Sequence, residues 1–273
     1  MTASPLQNDS TRSLIFKLFT EAADEDYIVA RVAFQFGLPN QFSWSAQQAI
    51  EKYLKGALLL NGISVKKSRH NIVNLFSEIR KLAPDLIPSL LFPPETLLEL
   101  KTHFSRSFDS VEKFIIRLNK NGDTSQRYRM KGHLVLDMDL HHFDEVVFCF
   151  RRLNVTLSAN FSRSGITFAE LLRNLPNWQP EGSIKLPTLH GDNTQSEAAQ
   201  CLEWRNFSFF PDQASNDGRL ARKMFFQKSP ISLITQYGGE SSSSLEWVLD
   251  NVPVGKEDEK EIRNAIKNRT SQT

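Results

Sequence analysis

FSWSAQQAIEKYLKGALLLNGI, residues 42–63, is the stretch that decides the fold class. At about 100° per residue, Ala49, Ile50, Tyr53, Leu54 and Ala57 cover one side of a helix. Gln47, Gln48, Glu51, Lys52 and Lys55 cover the opposite arc. Gly62 is a stop signal, because glycine adopts the left-handed backbone that ends helices. The polar arc is unusual for a merely solvated face: it holds amides, an acid and two amines within a few turns.

The same period continues on both sides. Upstream, Ile15, Phe19, Ala22, Asp26, Val29 and Ala33 alternate steps of four and three, which predicts a helix from Thr11 to Gln35. Asp26 falls inside that stripe. A buried carboxylate needs a partner, so pairing with Arg31 or with a cation from another helix is expected. Gly37, Pro39 and Asn40 break the chain. Downstream, a third helix is expected from Ser68, with Ile72, Phe76, Ile79 and Leu82 inward. A fourth is expected to open at Pro93–Pro94 and to run through Leu97, Phe104, Phe108, Val111 and Ile115 to Leu118. Residues 119–133 are polar, LVLDMD reads as a short extended piece, and a fifth helix from about Asp139 buries Phe143, Val147, Phe150 and Leu153. Short polar joints and no convincing alternating strand predict an all-α, up-and-down bundle of four to five helices.

Beyond about Asn160 the pattern weakens. Thr167 and Glu170 form a capping box before LLRNL. PEGSIKLPTLHGDNTQSE reads as loop, ISLITQY as strand or buried turn, SSSS at 241–244 as a breaker and EWVLDNV as helix. The expected organisation is a bundle over 1–160, then a less regular region over 161–273, partly loop or disordered, ending in a charged tail at 255–273.

Composition bounds the function. The 273 residues include 20 Phe and are 40% hydrophobic, enough for a real core. Net charge is +2, too small to argue for nucleic acid or membrane binding from bulk electrostatics. The first 160 residues carry 20 Lys and Arg against 17 Asp and Glu; the rest carry 13 against 14. Anion binding is therefore expected in the first part. Cys149 and Cys201 have no metal or disulfide spacing. MTASPLQNDSTR lacks the apolar core of a secretory signal, and no run approaches about 18 apolar residues, so a reduced, cytoplasmic, membrane-free protein is expected. His141 and His142 lack the companion ligands of a metal site, and no cofactor is expected. The four Trp are scattered and make no stacking platform of the single-strand-binding kind.

The strings D-YIVAR, F-W-AQQAIEKYLKGALLLNGI and K-S-RHNIVNLF together resemble the HEPN domain family. The matching positions are Asp26, Ala30, Arg31, Phe42, Gln47, Gln48, Glu51, Lys52, Leu54, Lys55, Gly62 and His70. The resemblance is good over about 11–83, extends to about 155, and says nothing of residues 160–273. It implies a HEPN-like bundle that often dimerises. The activities it implies are metal-independent RNA cleavage, nucleotide binding, and partnership with a small nucleotidyltransferase in toxin–antitoxin pairs. The ribonuclease branch of the family uses an Arg followed shortly by a His, and RYRMKGH supplies Arg127 and His133. Tyr128 stands where that branch carries a short polar residue, and Gly132 weakens a helical setting.

The chemistry suits these residue types. Cleaving RNA without metal requires a proton to leave a ribose hydroxyl and charge to be stabilised on phosphate. His titrates near neutrality, and Arg offers a fixed fork of donors. The plain alternative is that Arg127 and Arg129 solvate a loop while His133 sits at the surface. On the second helix, Lys52 and Lys55 suit a phosphate and Gln48, with His70, suits a nucleotide. The alternative there is a Glu51–Lys55 surface pair, or an interface with a second subunit. Two functions follow: an RNA-acting or nucleotide-binding protein, with metal-independent endoribonuclease activity in a defence or toxin–antitoxin system; or a non-catalytic helical dimerisation or adaptor module that binds a protein partner.

Overall fold

The computed structural model describes residues 9–66, 68, 70–92, 109–123, 132–161, 165–180, 184, 197–210, 224–227, 242–252, 254 and 256–270. The fold is an all-α bundle with a less regular C-terminal region. Its first helix has three parts: α1 (Asp9–Ile15), a π-helical segment (Phe16–Glu21) and α2 (Ala22–Gln35). The wider π turn takes in one extra residue and so rotates everything after it. The expected stripe of Ala22, Asp26, Val29 and Ala33 becomes Ala23, Tyr27, Ala30 and Phe34, each one position later and each buried. Val29 is left exposed, and Asp26 moves to the edge, where Lys52 Nζ lies 2.6 Å from its carboxylate. Of the partners expected for Asp26, the cation from another helix is the one found.

Gly37 ends α2 with φ of 69°, while Leu38 N–H donates to Ala33 (2.9 Å) and Gly37 N–H to Phe34 (3.1 Å). Pro39 then occupies the first turn of α3 (Pro39–Leu60), which ends at Asn61 and Gly62. This helix is the axis of the bundle. It packs against α2, the π segment, α4 (Ile72–Leu82), α5 (Val111–Asn121) and α6 (Asp137–Arg152). Helix α4 begins later than expected because Asn71 is its N-cap, its side chain accepting from Val73 (3.0 Å) and Asn74 (3.1 Å) N–H.

Residues 93–108, where the fourth helix was expected to open, lie outside the described residues. Where the chain is described again, Asp109–Ser110 (β2) pair antiparallel with Leu90–Leu91 (β1). Ser110 then caps α5, accepting from Lys113 N–H at 3.1 Å. A continuous helix through Phe108 to Leu118 is thus excluded, since the Ser110 backbone is extended. The expected extended piece before the last long helix is present as β3 (His133–Leu136), paired antiparallel with β4 (Met224–Gln227). Two small ladders therefore join the bundle among the described residues, one of them at the expected extended piece. Helix α6 starts at Asp137, with Asp139 accepting from Leu136 N–H (2.9 Å), and is buried on nearly every side.

The Thr167–Glu170 capping box opens α7 (Phe168–Asn174) as expected. Helix α8 spans Glu197–Glu203. Leu172, Ile184 and Leu202 are buried in the same core as Tyr27, Leu54 and Phe150, so chain beyond residue 160 completes the packing of the bundle. Helix α9 (Ser242–Asn251) starts inside the serine run read as a breaker, and the charged tail forms α10 (Lys256–Thr270). These two pack on each other around Leu245 and Ile262. ISLITQY and most of the stretch read as loop after Pro180 lie outside the described residues. No helix among the described residues is long and apolar enough to cross a membrane.

Candidate functional site

The polar arc of α3 is not the wet face its composition implies. Gln47 and Glu51 are buried, at 4% and 5% exposure. The end of α5 presses on that arc. A Cβ added at Gly122 would lie 2.6 Å from the Ser43 carbonyl oxygen and 2.7 Å from Gln47 Cβ. What emerges from beneath is a small polar cluster. The Glu51 carboxylate receives Lys55 Nζ at 2.6 Å, one turn on, and His70 Nδ1 at 3.1 and 3.3 Å from its two oxygens. The His70 side chain is 77% exposed. A carboxylate can only accept, so Nδ1 carries the proton, and Nε2 is left as the acceptor of an accessible imidazole. Burial of Glu51 gives that ring a fixed anchor.

Of the four residues expected to hold a nucleotide, Lys55 and His70 meet on Glu51. Lys52 turns the other way, to Asp26 and to the Ala22 carbonyl (3.3 Å). Gln48 is half-buried on the same helix. Arg127 lies outside the described residues. The His133 backbone pairs with Gln227 in the β3–β4 ladder, and its side chain is outside the described residues as well. The residue that sequence reasoning undervalued is Glu51. The i,i+4 spacing to Lys55 is visible in the sequence, but nothing there places His70 above it, 19 residues later.

Two other polar clusters are sealed in the fold. Arg31 is fully buried and pairs with Asp144 of α6. Its other donors reach the backbone carbonyls of Cys201 (3.1 Å) and Trp204. Tyr27 donates to Asp144 (2.7 Å) and accepts from Asn206 (2.9 Å). Burial opposes the charge of Arg31 most strongly, but Asp144 and Tyr27 beside it together outweigh burial and leave the guanidinium above its usual range. Burial also pushes the Tyr27 hydroxyl well above its usual range, so it remains a donor. In the second cluster Arg151 grips Asp24 with two nitrogens (3.0 and 3.2 Å), Tyr53 donates to the same Asp24, and Arg151 also reaches the Pro180 carbonyl (3.1 Å). Both arginines fasten later chain to α2 and α6. Both side chains are closed off from solvent.

The domain model that matches this chain is that of the HEPN domain, over residues 16–124. This segment is a HEPN domain. It runs from the π segment through α5 and contains Glu51, Lys55 and His70. No curated protein and no solved structure matches the chain. The rest of the chain has no family match, yet it contributes Asp144 and Arg151 to the pairs that lock Arg31 and Asp24 of the HEPN segment.

Proposed function

We propose that the protein binds RNA or a nucleotide through its HEPN domain, at the cluster of Glu51, Lys55 and His70. HEPN domains are often linked to RNA binding or nuclease activity. The observation that carries the reading is the imidazole of His70, exposed yet tethered through Nδ1 to a buried carboxylate. A surface histidine with no task has no need of such an anchor. The Lys55 ammonium beside it adds a positive charge for a phosphate, and Nε2 offers an acceptor for a ribose hydroxyl or a base. Cleavage is assigned to Arg127 and His133, with the guanidinium on the phosphate and the imidazole moving the proton.

The test separates the two steps. A labelled single-stranded RNA is titrated with the wild type, His70→Ala and Lys55→Ala, and cleavage is followed in excess EDTA for the wild type, Arg127→Ala and His133→Ala. The expected result is weaker binding in the first pair and cleavage lost in the second. Intact RNA with the wild type removes the nuclease reading. Equal binding by wild type and His70→Ala removes the site.

A second reading has its own support. Leu14, Leu18, Phe36 and Leu38 of the first helix and its end are 56%, 58%, 70% and 52% exposed. Leu14 and Leu18 stand four residues apart on one flank of the helix, and exposed apolar side chains side by side mark an interface. We assign this surface to a second copy of the chain. Sedimentation of the wild type and of Leu18→Glu is the check, and a monomeric wild type overturns the assignment.

A further inference from the structure

A cleft opens at the C-terminal end of α3, where the start of the first helix meets chain beyond residue 150. It has two chambers, of about 750 and about 360 Å3, which share Leu60, Thr156 and Ala159 in their walls. The smaller chamber is lined by Phe16, Phe161, Phe168 and Trp178. The ring centroids of the last three lie 5.5 to 6.0 Å apart in edge-on or tilted contact, which leaves ring faces unused by the trio itself. A cluster that only pinned this turn would be buried, whereas Phe161 is 47% exposed. The π segment begins at Phe16, and π turns inside helices recur at functional sites.

The polar groups of the smaller chamber's wall are already paired within the protein. Asn154 accepts from Thr20 at 3.0 Å and donates to the carbonyls of Tyr53 (3.1 Å) and Phe150 (2.9 Å). Thr156 Oγ1 donates to the Leu60 carbonyl at 3.1 Å. The carbonyls of Val155, Ala159 and Pro180 accept from Asn61 Nδ2 (2.9 Å), Phe168 N–H (2.9 Å) and Arg151 (3.1 Å). Arg12 is engaged within the protein as well. A charged or strongly polar ligand would give up its water and find these groups taken, a cost that an apolar ligand avoids. Size adds a second limit. A dry cavity of ~150 Å3 holds one benzene ring, so a chamber of about 360 Å3 has room for two fused rings.

We infer that the smaller chamber binds a neutral, flat molecule of two fused rings, seated against Phe161, Phe168 and Trp178. The inference does not depend on the reading of Glu51, Lys55 and His70. The experiment is calorimetric titration of the full chain with indole, with phenol as the one-ring probe and indole-3-acetate as the charged one. Indole is expected to bind saturably and about tenfold tighter than either. The indole titration is repeated on three variants. Phe161→Ala removes a wall, and Ser13→Trp, at an exposed position that lines the chamber, fills the space without removing any. Each should weaken indole by about tenfold or more. Trp247→Ala, on α9 and 61% exposed, should leave the affinity unchanged, which separates a seat from adhesion to any exposed ring. Indole that fails to saturate overturns the inference. So does affinity kept in Ser13→Trp, a test that stands whether or not Phe161→Ala folds, and so does affinity lost in Trp247→Ala. Indole-3-acetate bound as tightly as indole overturns the neutral ligand, and phenol bound as tightly overturns the two-ring size.

Discussion

The Arg31–Asp144 pair and the Glu51–His70 pair are made of similar materials and end in opposite conditions. Both join a carboxylate to a cationic or ionisable nitrogen from a distant part of the chain, Arg31 of α2 to Asp144 of α6 and His70 of the turn before α4 to Glu51 of α3. In the first, both partners are fully buried and every direction is filled, by Tyr27, Asn206 and the carbonyls of Cys201 and Trp204. In the second, only the carboxylate is buried, and the imidazole stands in solvent. The difference teaches what separates a fastening from a site. A fastening satisfies every donor within the protein; a site leaves one atom for a ligand. Residue type alone cannot tell the two apart, and Arg31 and His70 both lie in the segment that matches the HEPN domain.

The largest effect should come from breaking the sealed side. Asp144→Ala leaves a buried guanidinium without its counter-charge and should lower stability by about 3–5 kcal/mol, read from urea unfolding midpoints. Arg31→Ala should cost a similar amount, and the double variant should cost less than the two together because they share one interaction. Arg31 also holds the Cys201 and Trp204 carbonyls, so residues 197–210 should become more open to limited proteolysis in Arg31→Ala. A cost under about 1 kcal/mol for Asp144→Ala would place this pair with surface ion pairs and dissolve the contrast.

Gly122→Ala tests how firmly α5 closes over α3. Its new methyl group meets a backbone oxygen at 2.6 Å, which cannot swing aside as a side chain end can. An overpacking cost of about 1–3 kcal/mol is expected in the same assay. RNA binding should fall with it, because the same contact buries Gln47 one turn from Glu51.

Much of this was legible in the sequence, and the failures have physical causes. Helix α3, its end at Gly62 and the Thr167 box follow from local spacing and capping, and they are where the sequence places them. The stripe of the first helix fails by one residue because a π turn obeys no composition signal. The wet arc of α3 fails because burial is set by what packs from outside, here Gly122, whose lack of a side chain is uninformative until the partner is known. The contact among Phe161, Phe168 and Trp178 is not legible for a related reason. Those rings look scattered along the chain and converge only through the turn after α6.

Acid sensitivity should sharpen the comparison from a third position, His141. Its ring is buried against Phe207 (5.4 Å), and burial first, then the charges of Arg205 and Arg31 and the neighbouring His142, hold its pKa well below 6.5. The unfolded chain takes a proton as pH falls through about 6.5 and the folded chain does not, so stability should drop below that pH, by at most about 1.4 kcal/mol per unit. Glu145 works the other way. Burial raises it to about 7, so between 4.5 and 7 the folded state keeps a proton the unfolded chain has lost, and stability falls as pH rises. Melting temperatures from pH 5 to 8 should therefore fall more steeply with acid in Glu145→Gln than in the wild type. In His141→Gln the acid slope should flatten or reverse. Identical profiles in all three would mean that neither group governs the acid response.

The smallest effect on stability, and the most informative, should come from His70→Ala. An exposed ring with one charged partner contributes little, so the change should stay within about 0.5 kcal/mol. Binding of RNA should nevertheless weaken by about tenfold or more if Nε2 meets the ligand. Glu51→Gln separates contact from positioning. The amide keeps the size of the carboxylate but can also donate, so Nδ1 loses its exclusive acceptor and the ring its fixed tautomer. A positioning role predicts an intermediate loss of affinity with stability kept, whereas a purely structural role predicts lower stability with affinity intact. Should His70→Ala unfold the protein instead, His70 would belong with Arg31 among the fastenings, and the distinction between the two pairs would fall.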